Sequence, residues 1–179
     1  KNKLTTIYIL LTYLLTTKNK TIMKKLSFFL MAMLISVMSL AQTYTHTFES
    51  GQLRNGSVTL SNIKWTSTIT GSSFLGWDNN NGKGFQFGSS GDPNKTMTLT
   101  SASFSNVSQI VINTSGASSI SGSVKIYVGS TLVKTITLTK TATNYTIDVN
   151  DLTGEIKFAY TQTSSKAIYI KSISVTYAE

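Results

Sequence analysis

The chain has 179 residues, with 16 Lys and Arg against seven Asp and Glu, one His and no Cys. The lack of cysteine excludes disulfides, cysteine-ligated metal sites and a cysteine nucleophile, and the single His46 excludes a multi-histidine metal site within one chain. Six lysines and no acidic residue lie in residues 1–41, so the rest of the chain carries a net charge of only +3. Because the basic residues of that remainder are scattered singly, we do not expect nucleic-acid binding.

Residues 23–41 have the pattern of a signal peptide. A basic Met-Lys-Lys start at residues 23–25 is followed by an apolar run of 15 residues at 26–40. Small residues precede Ala41-Gln42, so we expect a signal-peptide helix that is cleaved near this bond. The apolar run is short for a membrane span. The pattern predicts a secreted protein (periplasmic, cell-surface or extracellular) with no membrane attachment after cleavage.

Two further regions flank this leader. Residues 1–22 contain no Met and are rich in Lys, Asn, Ile and Thr, so we predict an upstream extension without a structural role, with translation beginning at Met23. Residues 42–179 are long enough for one hydrophobic core. Ser and Thr make up 44 of these 138 residues, and short alternating segments recur every 8–14 residues between Gly, Asn, Asp and Ser. This spacing predicts a single all-β domain, an antiparallel sandwich.

Alternation of apolar and polar residues locates the strands. In chain order we predict strands at residues 44–48, 63–70, 85–87, 96–101, 109–113, 124–128, 132–139, 145–149, 155–160 and 167–177. Gly129-Ser130 between two alternating runs predicts a two-residue hairpin turn. In the last strand the apolar phase changes between Ile170 and Ile173, which predicts a β-bulge near Lys171-Ser172.

Five stretches carry a resemblance to a known group of modules: residues 47–51, 84–88, 96–100, 109–118 and 160–177. They resemble strands of secreted jelly-roll β-sandwich modules from gut and environmental Bacteroidota, of the galactose-binding-like and carbohydrate-binding-module-like kind. The resemblance implies a jelly-roll sandwich. It also implies a non-catalytic appendage of carbohydrate-active or nuclease enzymes, although many such modules have no assigned role.

One position departs from that resemblance. Related sandwiches often have Asp in the closing strand, where it can pair with an N-terminal Glu around calcium, but here the residue is Lys171. An ammonium group has only donors and cannot ligate calcium. We therefore predict no metal site and, if Glu49 and Lys171 are adjacent, an ion pair between them in its place.

The segment 76–83, Gly-Trp-Asp-Asn-Asn-Asn-Gly-Lys, is the most unusual in the chain. A flat indole can stack on the apolar face of a sugar, while carboxylate, amide and ammonium groups hydrogen-bond its hydroxyls. This pattern predicts a glycan site formed by Trp77, Asp78, Asn79, Asn80, Asn81 and Lys83. The alternative is a mobile loop with a turn at Asn81-Gly82 and Trp77 packed on the sandwich edge. The segment lacks the alternating acids of a calcium-binding EF-hand loop.

A second candidate face consists of Lys125, Tyr127 and Tyr169, which alternation places on an outer sheet surface. An exposed aromatic strip can bind ligands, but scattered exposed tyrosines are also ordinary. Trp65 is in phase with neighbouring isoleucines and is expected in the core. His46 is in phase with Tyr44 and Phe48, as expected for a packed histidine rather than a general base.

No catalytic arrangement is visible. The chain has no pair of carboxylates in a recognisable motif, no Gly-X-Ser-X-Gly and no phosphate-binding loop. We therefore expect no enzymatic activity and no cofactor. The sequence predicts a non-catalytic module that binds an extracellular oligo- or polysaccharide. The alternative is a surface or matrix adhesin, or a structural protein, that binds protein partners; an exposed Trp77 favours the first and a packed Trp77 the second. A weak hydrolase would require two carboxylates converging in one cleft.

Overall fold

The structure is a computed structural model. It describes residues 40–71, 75–78, 82–89, 96–119, 121–163 and 166–178, together with Ile9, Lys24, Lys25 and Ser27. The chain divides into two units, Lys1–Leu40 and Ala41–Glu179, and all the strands belong to the second. The predicted extension 1–22 and leader 23–41 lie almost entirely outside the described residues. Within the described part of the chain, no helix has the length and apolar character needed to cross a membrane.

Among the described residues of the second unit there are ten antiparallel strands, in which Val, Ile, Thr and aromatic residues, which favour strands, are frequent. The strands are β1 (Ala41–Thr47), β2 (Gly56–Leu60), β3 (Ile63–Thr70), β4 (Leu75–Asp78), β5 (Gly84–Phe87), β6 (Thr96–Gly116), β7 (Gly122–Val128), β8 (Thr131–Thr137), β9 (Thr143–Gln162) and β10 (Ile168–Ala178). They form an antiparallel β-sandwich of jelly-roll type, in which the first strand pairs with the last.

The sandwich has two layers that share two long strands. The first sheet has the order β2-β3-β6-β9-β7-β8 and uses the beginning of β6 and the end of β9. In the second sheet, the end of β6 lies between β10 and the beginning of β9. On its other side β10 pairs with β1 along residues 172–178 and with β5 along 168–170, and β4 pairs with β5.

The two long strands pass from one sheet to the other at a corner where their pairing is irregular. The register between them shifts between Thr100 and Ser103 and again on both sides of Val107. At this corner Asn106 and Asp151 adopt positive φ angles of 46° and 54°. The buried Ser101 hydroxyl accepts a hydrogen bond from the Ile156 N–H at 2.8 Å. This bond satisfies a backbone donor that has no partner in the irregular ladder.

Aromatic side chains from both sheets meet between the layers. Trp65 in the first sheet lies 6.0 Å, centroid to centroid, from Tyr44 in the second. Tyr160 in the first sheet meets Phe87 in the second edge-on at 5.5 Å. Each of these four rings is less than 9% exposed. The apolar residues of each strand therefore lie on its inner face, between the two layers.

Several sequence predictions are confirmed. The strand at 63–70 has the predicted bounds, and the Gly129-Ser130 turn joins Val128 to its partner Thr131. The bulge in β10 lies between Ile170 and Ser172, with Lys171 as the extra residue. Trp65 is fully buried, as predicted.

Other predictions differ from the structure. The predicted strands at 96–101 and 109–113 are one strand, β6, and those at 145–149 and 155–160 are also one, β9. The polar corner residues resemble loop residues in the sequence, although they lie within β6 and β9. β2 and β4 were not predicted, because β2 is short and β4 contains a glycine and an aspartate in only four residues.

Candidate functional site

The predicted glycan segment begins in a strand. Leu75–Asp78 form β4, which pairs with β5 as an edge hairpin beside β10. Gly84 begins β5 with φ +90°, and a Cβ atom there would lie 2.6 Å from the Ile170 carbonyl oxygen. Only glycine therefore allows this close approach between the hairpin and β10. Asn79, Asn80 and Asn81 lie outside the described residues.

The two sides of the hairpin face different surroundings. Trp77 is opposite Phe85 in the ladder, and directly opposed residues share one face of a sheet. Phe85 is buried in the core, so Trp77 lies on the inner side, where it is half-buried and packs against the core at the sandwich edge. Asp78, the next residue, consequently lies on the outer side. Trp77 therefore packs at the sandwich edge, as the alternative interpretation of the segment expects, although it is half-buried rather than fully buried. It is not the exposed platform of the glycan interpretation.

Asp78 and Lys83 meet Tyr169 on the outer side of the second sheet. The Lys83 Nζ atom lies 4.9 Å from the centroid of the Tyr169 ring, within the range of a cation–π contact. Burial raises the pKa of Tyr169, and the negative charge of Asp78 raises it further. Two residues of the predicted segment and one of the second candidate face therefore form one charged and aromatic cluster.

Buried polar atoms without partners adjoin this cluster. Ser115 is directly opposite Tyr169 on β6, and its fully buried side-chain oxygen has no hydrogen-bond partner among the described residues. Two residues earlier on β6, the side-chain oxygen of Asn113 is also buried and has no partner in this part of the chain, while Asn113 Nδ2 donates to Asn144 at 2.7 Å. Buried polar atoms are usually paired, so two unpaired oxygens near one cluster are an unusual feature. Neither residue was singled out from the sequence, because a serine or asparagine in a Ser/Thr-rich strand carries no distinguishing signal.

Lys171 extends toward the same region. Its Nζ atom lies 3.9 Å from the position that a Cβ atom on Gly82 would occupy. The Phe48 N–H donates to the Lys171 carbonyl oxygen at 2.9 Å, so Glu49 follows closely along the chain. Nevertheless, the described residues contain no ion pair between Glu49 and Lys171, and this prediction is wrong. Lys171 is the bulge residue of β10, and its side chain extends toward Gly82 instead.

The second candidate face is divided between the two sheets. Lys125 and Tyr127 lie on β7 in the first sheet, whereas Tyr169 lies on β10 in the second. Tyr169 is also only 8% exposed. Tyr127 instead meets a lysine that the sequence interpretation did not single out: the Lys157 Nζ atom lies 4.3 Å from the Tyr127 ring centroid. Alternation along β9 could have placed Lys157 on this outer face.

His46 is a structural residue between the sheet and a turn. It is 5% exposed, and its Nδ1 and Nε2 atoms lie 2.9 Å from Ser61 Oγ and 3.1 Å from Gln52 Oε1. Burial lowers its pKa, and the Gln52 hydrogen bond and the Glu49 charge oppose that effect. In the neutral ring, Nε2–H donates to the Gln52 oxygen and Nδ1 accepts from the Ser61 hydroxyl. Among the described residues, no three His, Asp or Glu side chains gather as metal ligands.

Comparison with known proteins gives structural likenesses only. No family model matches the chain, and no curated protein matches it. One similar solved structure is a variant of the family 29 carbohydrate-binding module CBM29-2 complexed with mannohexaose, at 21% identity and a TM-score of 0.49, covering 76% of this chain and 92% of that one. Another is the CBM36-1 domain of a xylanase from the hindgut metagenome of Trinervitermes trinervoides, at 17% identity and a TM-score of 0.44, covering 64% and 99%.

A third similar structure is a family two carbohydrate esterase from Cellvibrio japonicus, at 11% identity and a TM-score of 0.44. The match covers 78% of this chain but only 35% of the esterase. Structural neighbours therefore include carbohydrate-binding modules with low sequence identity. Because all three TM-scores are below 0.5, these likenesses carry no argument about the site or its ligand.

Proposed function

We propose that this protein is a secreted, non-catalytic module that binds an extracellular oligo- or polysaccharide at the end of the β4–β5 hairpin. The ligand contacts are assigned to Trp77, Asp78, Asn79, Asn80, Asn81 and Lys83. Export and cleavage near Ala41-Gln42 belong to the same proposal and rest on the leader pattern. Binding at this site needs no metal and no cofactor.

The observation that carries the proposal is the convergence of Asp78, Lys83 and Tyr169 on one side of the second sheet. A sugar presents many hydroxyl groups that both donate and accept hydrogen bonds. A carboxylate accepts from them, and an ammonium group donates to them. Charged partners make hydrogen bonds about twice as strong as neutral ones, so few such contacts are needed for binding.

Trp77 has a separate role in this proposal. Its ring is half-buried on the inner side of the hairpin, so the accessible part of the indole lies along the edge of the sandwich rather than beside Asp78. We assign to it an edge contact with the sugar face. The polar contacts of Asp78 and Lys83 are assigned the larger part of the affinity.

The test is affinity electrophoresis and calorimetry of the purified protein with a panel of neutral polysaccharides. We expect Asp78→Asn and Lys83→Met each to weaken binding about tenfold, as expected for the loss of one charge-assisted hydrogen bond. Lys140→Met, an exposed lysine beyond β8, is the matched control and should bind as the wild type does. Trp77→Phe should weaken binding less than either polar variant.

Two outcomes would contradict the proposal. Binding that survives both Asp78→Asn and Lys83→Met would place the site elsewhere. No binding across the panel, together with concentration-dependent self-association or capture of a protein ligand, would favour the adhesin or structural alternative.

A further inference from the structure

On the outer face of the first sheet, one short side chain lies among four longer ones, and this difference in length implies a small depression with the four longer residues as its rim. Ala159 on β9 has Lys125 directly opposite on β7 and Thr98 directly opposite on β6. Along its own strand, its neighbours on the same face are Lys157 and Thr161, because successive residues of a strand alternate between faces. The short side chain of Ala159 is thus surrounded by four longer ones. From the spacings of a β-sheet, these four positions enclose roughly 10 Å by 13 Å, about the size of one sugar ring with its substituents.

The rim has two different chemistries on opposite sides. Lys125 and Lys157 provide two ammonium groups, and Thr98 and Thr161 provide two hydroxyl groups. Lys125 is exposed and Lys157 is half-buried. The contact with Tyr127, at 4.3 Å from Nζ to ring centroid, restrains the Lys157 side chain against this face. Tyr127 is directly opposite Lys157 on β7, so the contact holds this charge on the same face, one row of residues away from Ala159.

The charged residues near Lys125 and Lys157 determine which ligand this face can attract. Within the part of the chain that the structure describes, neither ammonium group forms an ion pair with a carboxylate. Glu155 lies two positions before Lys157 on the same strand, at the corner, and Lys64 adds a third positive charge on β3. Glu155 shares the face of Lys157, but the three lysines outnumber it, so this face has a net positive charge that is complementary to an anion.

We infer that this depression is a second binding site, which takes one uronic-acid residue of an acidic polysaccharide. The carboxylate lies between the ammonium groups of Lys125 and Lys157, the ring lies over Ala159, and sugar hydroxyls bond to the hydroxyls of Thr98 and Thr161. A nucleic acid carries a charge on every phosphate and requires rows of cations. Here two lysines lie opposite two neutral hydroxyls. This arrangement suits a polymer with one carboxylate per sugar, which the lysines bind, and many hydroxyls, which the threonines bind. This site is separate from the proposed site at the β4–β5 hairpin.

The test is calorimetry of the purified protein with polygalacturonate and with the same polymer after methyl esterification of its carboxylates. We expect the acidic polymer to bind and the ester to bind at least about tenfold more weakly, because a charge-assisted contact is lost. Lys125→Met and Lys157→Met should each weaken binding of the acidic polymer by a similar factor. Lys140→Met, which removes the same charge away from this face, should leave it unchanged.

A further variant tests the depression rather than the charge. Ala159→Phe fills the floor while both lysines remain, and the position lies on the outer face, where a larger side chain meets solvent rather than the core. Loss of binding with an unchanged melting temperature supports the site. If Ala159→Phe unfolds, Ala159→Thr provides a smaller filling, and it should weaken binding while the protein stays folded.

Four results would overturn the inference: no binding of polygalacturonate at low salt, equal binding of the ester, equal weakening by Lys140→Met, or equal or tighter binding of double-stranded DNA. The last two would indicate unspecific attraction to a basic protein. Because the two sites lie on different sheets, binding of neutral polysaccharides by Lys125→Met reports on the proposed function alone. Loss or retention of neutral-polysaccharide binding can therefore be told apart from loss or retention of polygalacturonate binding.

Discussion

The Tyr44 hydroxyl links the two sheets of the sandwich through Trp65. The Trp65 Nε1–H donates to the Tyr44 oxygen at 3.1 Å, and the Tyr44 hydroxyl donates to the Leu60 carbonyl oxygen at 2.9 Å. Burial raises the pKa of Tyr44 to about 12, although the bond from Trp65 lowers it somewhat. The hydroxyl therefore stays protonated, and stays a donor, throughout the physiological pH range. One side chain thus pairs two buried polar groups of the first sheet.

This link predicts that removing the Tyr44 hydroxyl oxygen lowers the free energy of unfolding. Tyr44→Phe leaves the Trp65 N–H and the Leu60 carbonyl without their partner, and an unpaired buried polar group costs about 1–3 kcal/mol. We expect the free energy of unfolding in urea to fall by that amount. Tyr145→Phe is the control, because the half-buried Tyr145 has only a 3.4 Å contact with exposed Thr139. Equal effects of the two variants would contradict a special role for the Tyr44 hydroxyl.

A second prediction concerns the approach of the β4–β5 hairpin to β10. In Gly84→Ala the new Cβ atom would lie 2.6 Å from the Ile170 carbonyl oxygen and 2.8 Å from the Lys171 Cα atom. Both are backbone atoms, so the hairpin must move away from β10. Gly56→Ala has a comparable φ of +104° but meets nothing within 4 Å. We expect Gly84→Ala to unfold more easily than Gly56→Ala by roughly 1–3 kcal/mol, measured by chemical denaturation of both. Equal stabilities would show that the contact with β10 is not tight.

A third prediction concerns pH and His46. Burial lowers the pKa of His46 in the folded protein, so the unfolded chain takes up its proton first as the pH falls. Stability is therefore complete above the unfolded pKa of about 6.5 and decreases as the pH falls through that value toward the lower folded pKa. In His46→Phe this part of the pH dependence should disappear. Unfolding free energies measured between about pH 8 and about pH 5 give the slope, and an unchanged slope in the variant would assign it to other groups.

The cluster at the proposed site can be examined without any ligand. The charge of Asp78 disfavours the Tyr169 phenolate, so Asp78→Asn should lower the pKa of Tyr169. NMR titration of ring-labelled tyrosine follows this change directly. Asp148→Asn, which removes a carboxylate bonded to Gln109 elsewhere on the sheet, should leave the pKa of Tyr169 as it is. A response to Asp148→Asn but not to Asp78→Asn would mean that Asp78 does not face the ring.

The sequence predicts those parts of the fold that depend on local alternation. Strand β3, the Gly129-Ser130 turn and the bulge at Lys171 follow from apolar phase and turn residues, which are properties of neighbouring positions. Local alternation could not predict that the segments 96–101 and 109–113 form one continuous strand, β6. This continuity depends on the pairing of corner residues such as Ser103 and Val107 with Glu155 and Leu152, far along the chain, although the polar residues between them usually mark a loop.

The same limit applies to the site. The composition of the segment 76–83 points to polar recognition, but its local pattern does not say that Trp77 and Asp78 lie on different sides of a hairpin. The meeting of Lys83 with Tyr169 joins positions far apart in sequence and follows only from the pairing of β5 with β10. Nothing in the local sequence distinguishes Lys157 and Ala159 from other strand residues. Their place in the inferred second site depends on the positions of β7 and β6 on either side of β9.

The continuity of β6 and β9 through both layers has a consequence for how the sandwich comes apart. Two sheets joined only by loops can separate as independent layers, but here each layer contains half of the same two central strands. Freeing either layer would break the ladder between β6 and β9 at the corner, and the other layer would lose the strand positions it depends on. Amide hydrogens at the two ends of β6 should therefore exchange with deuterium at similar rates, through a single opening event that involves the whole sandwich.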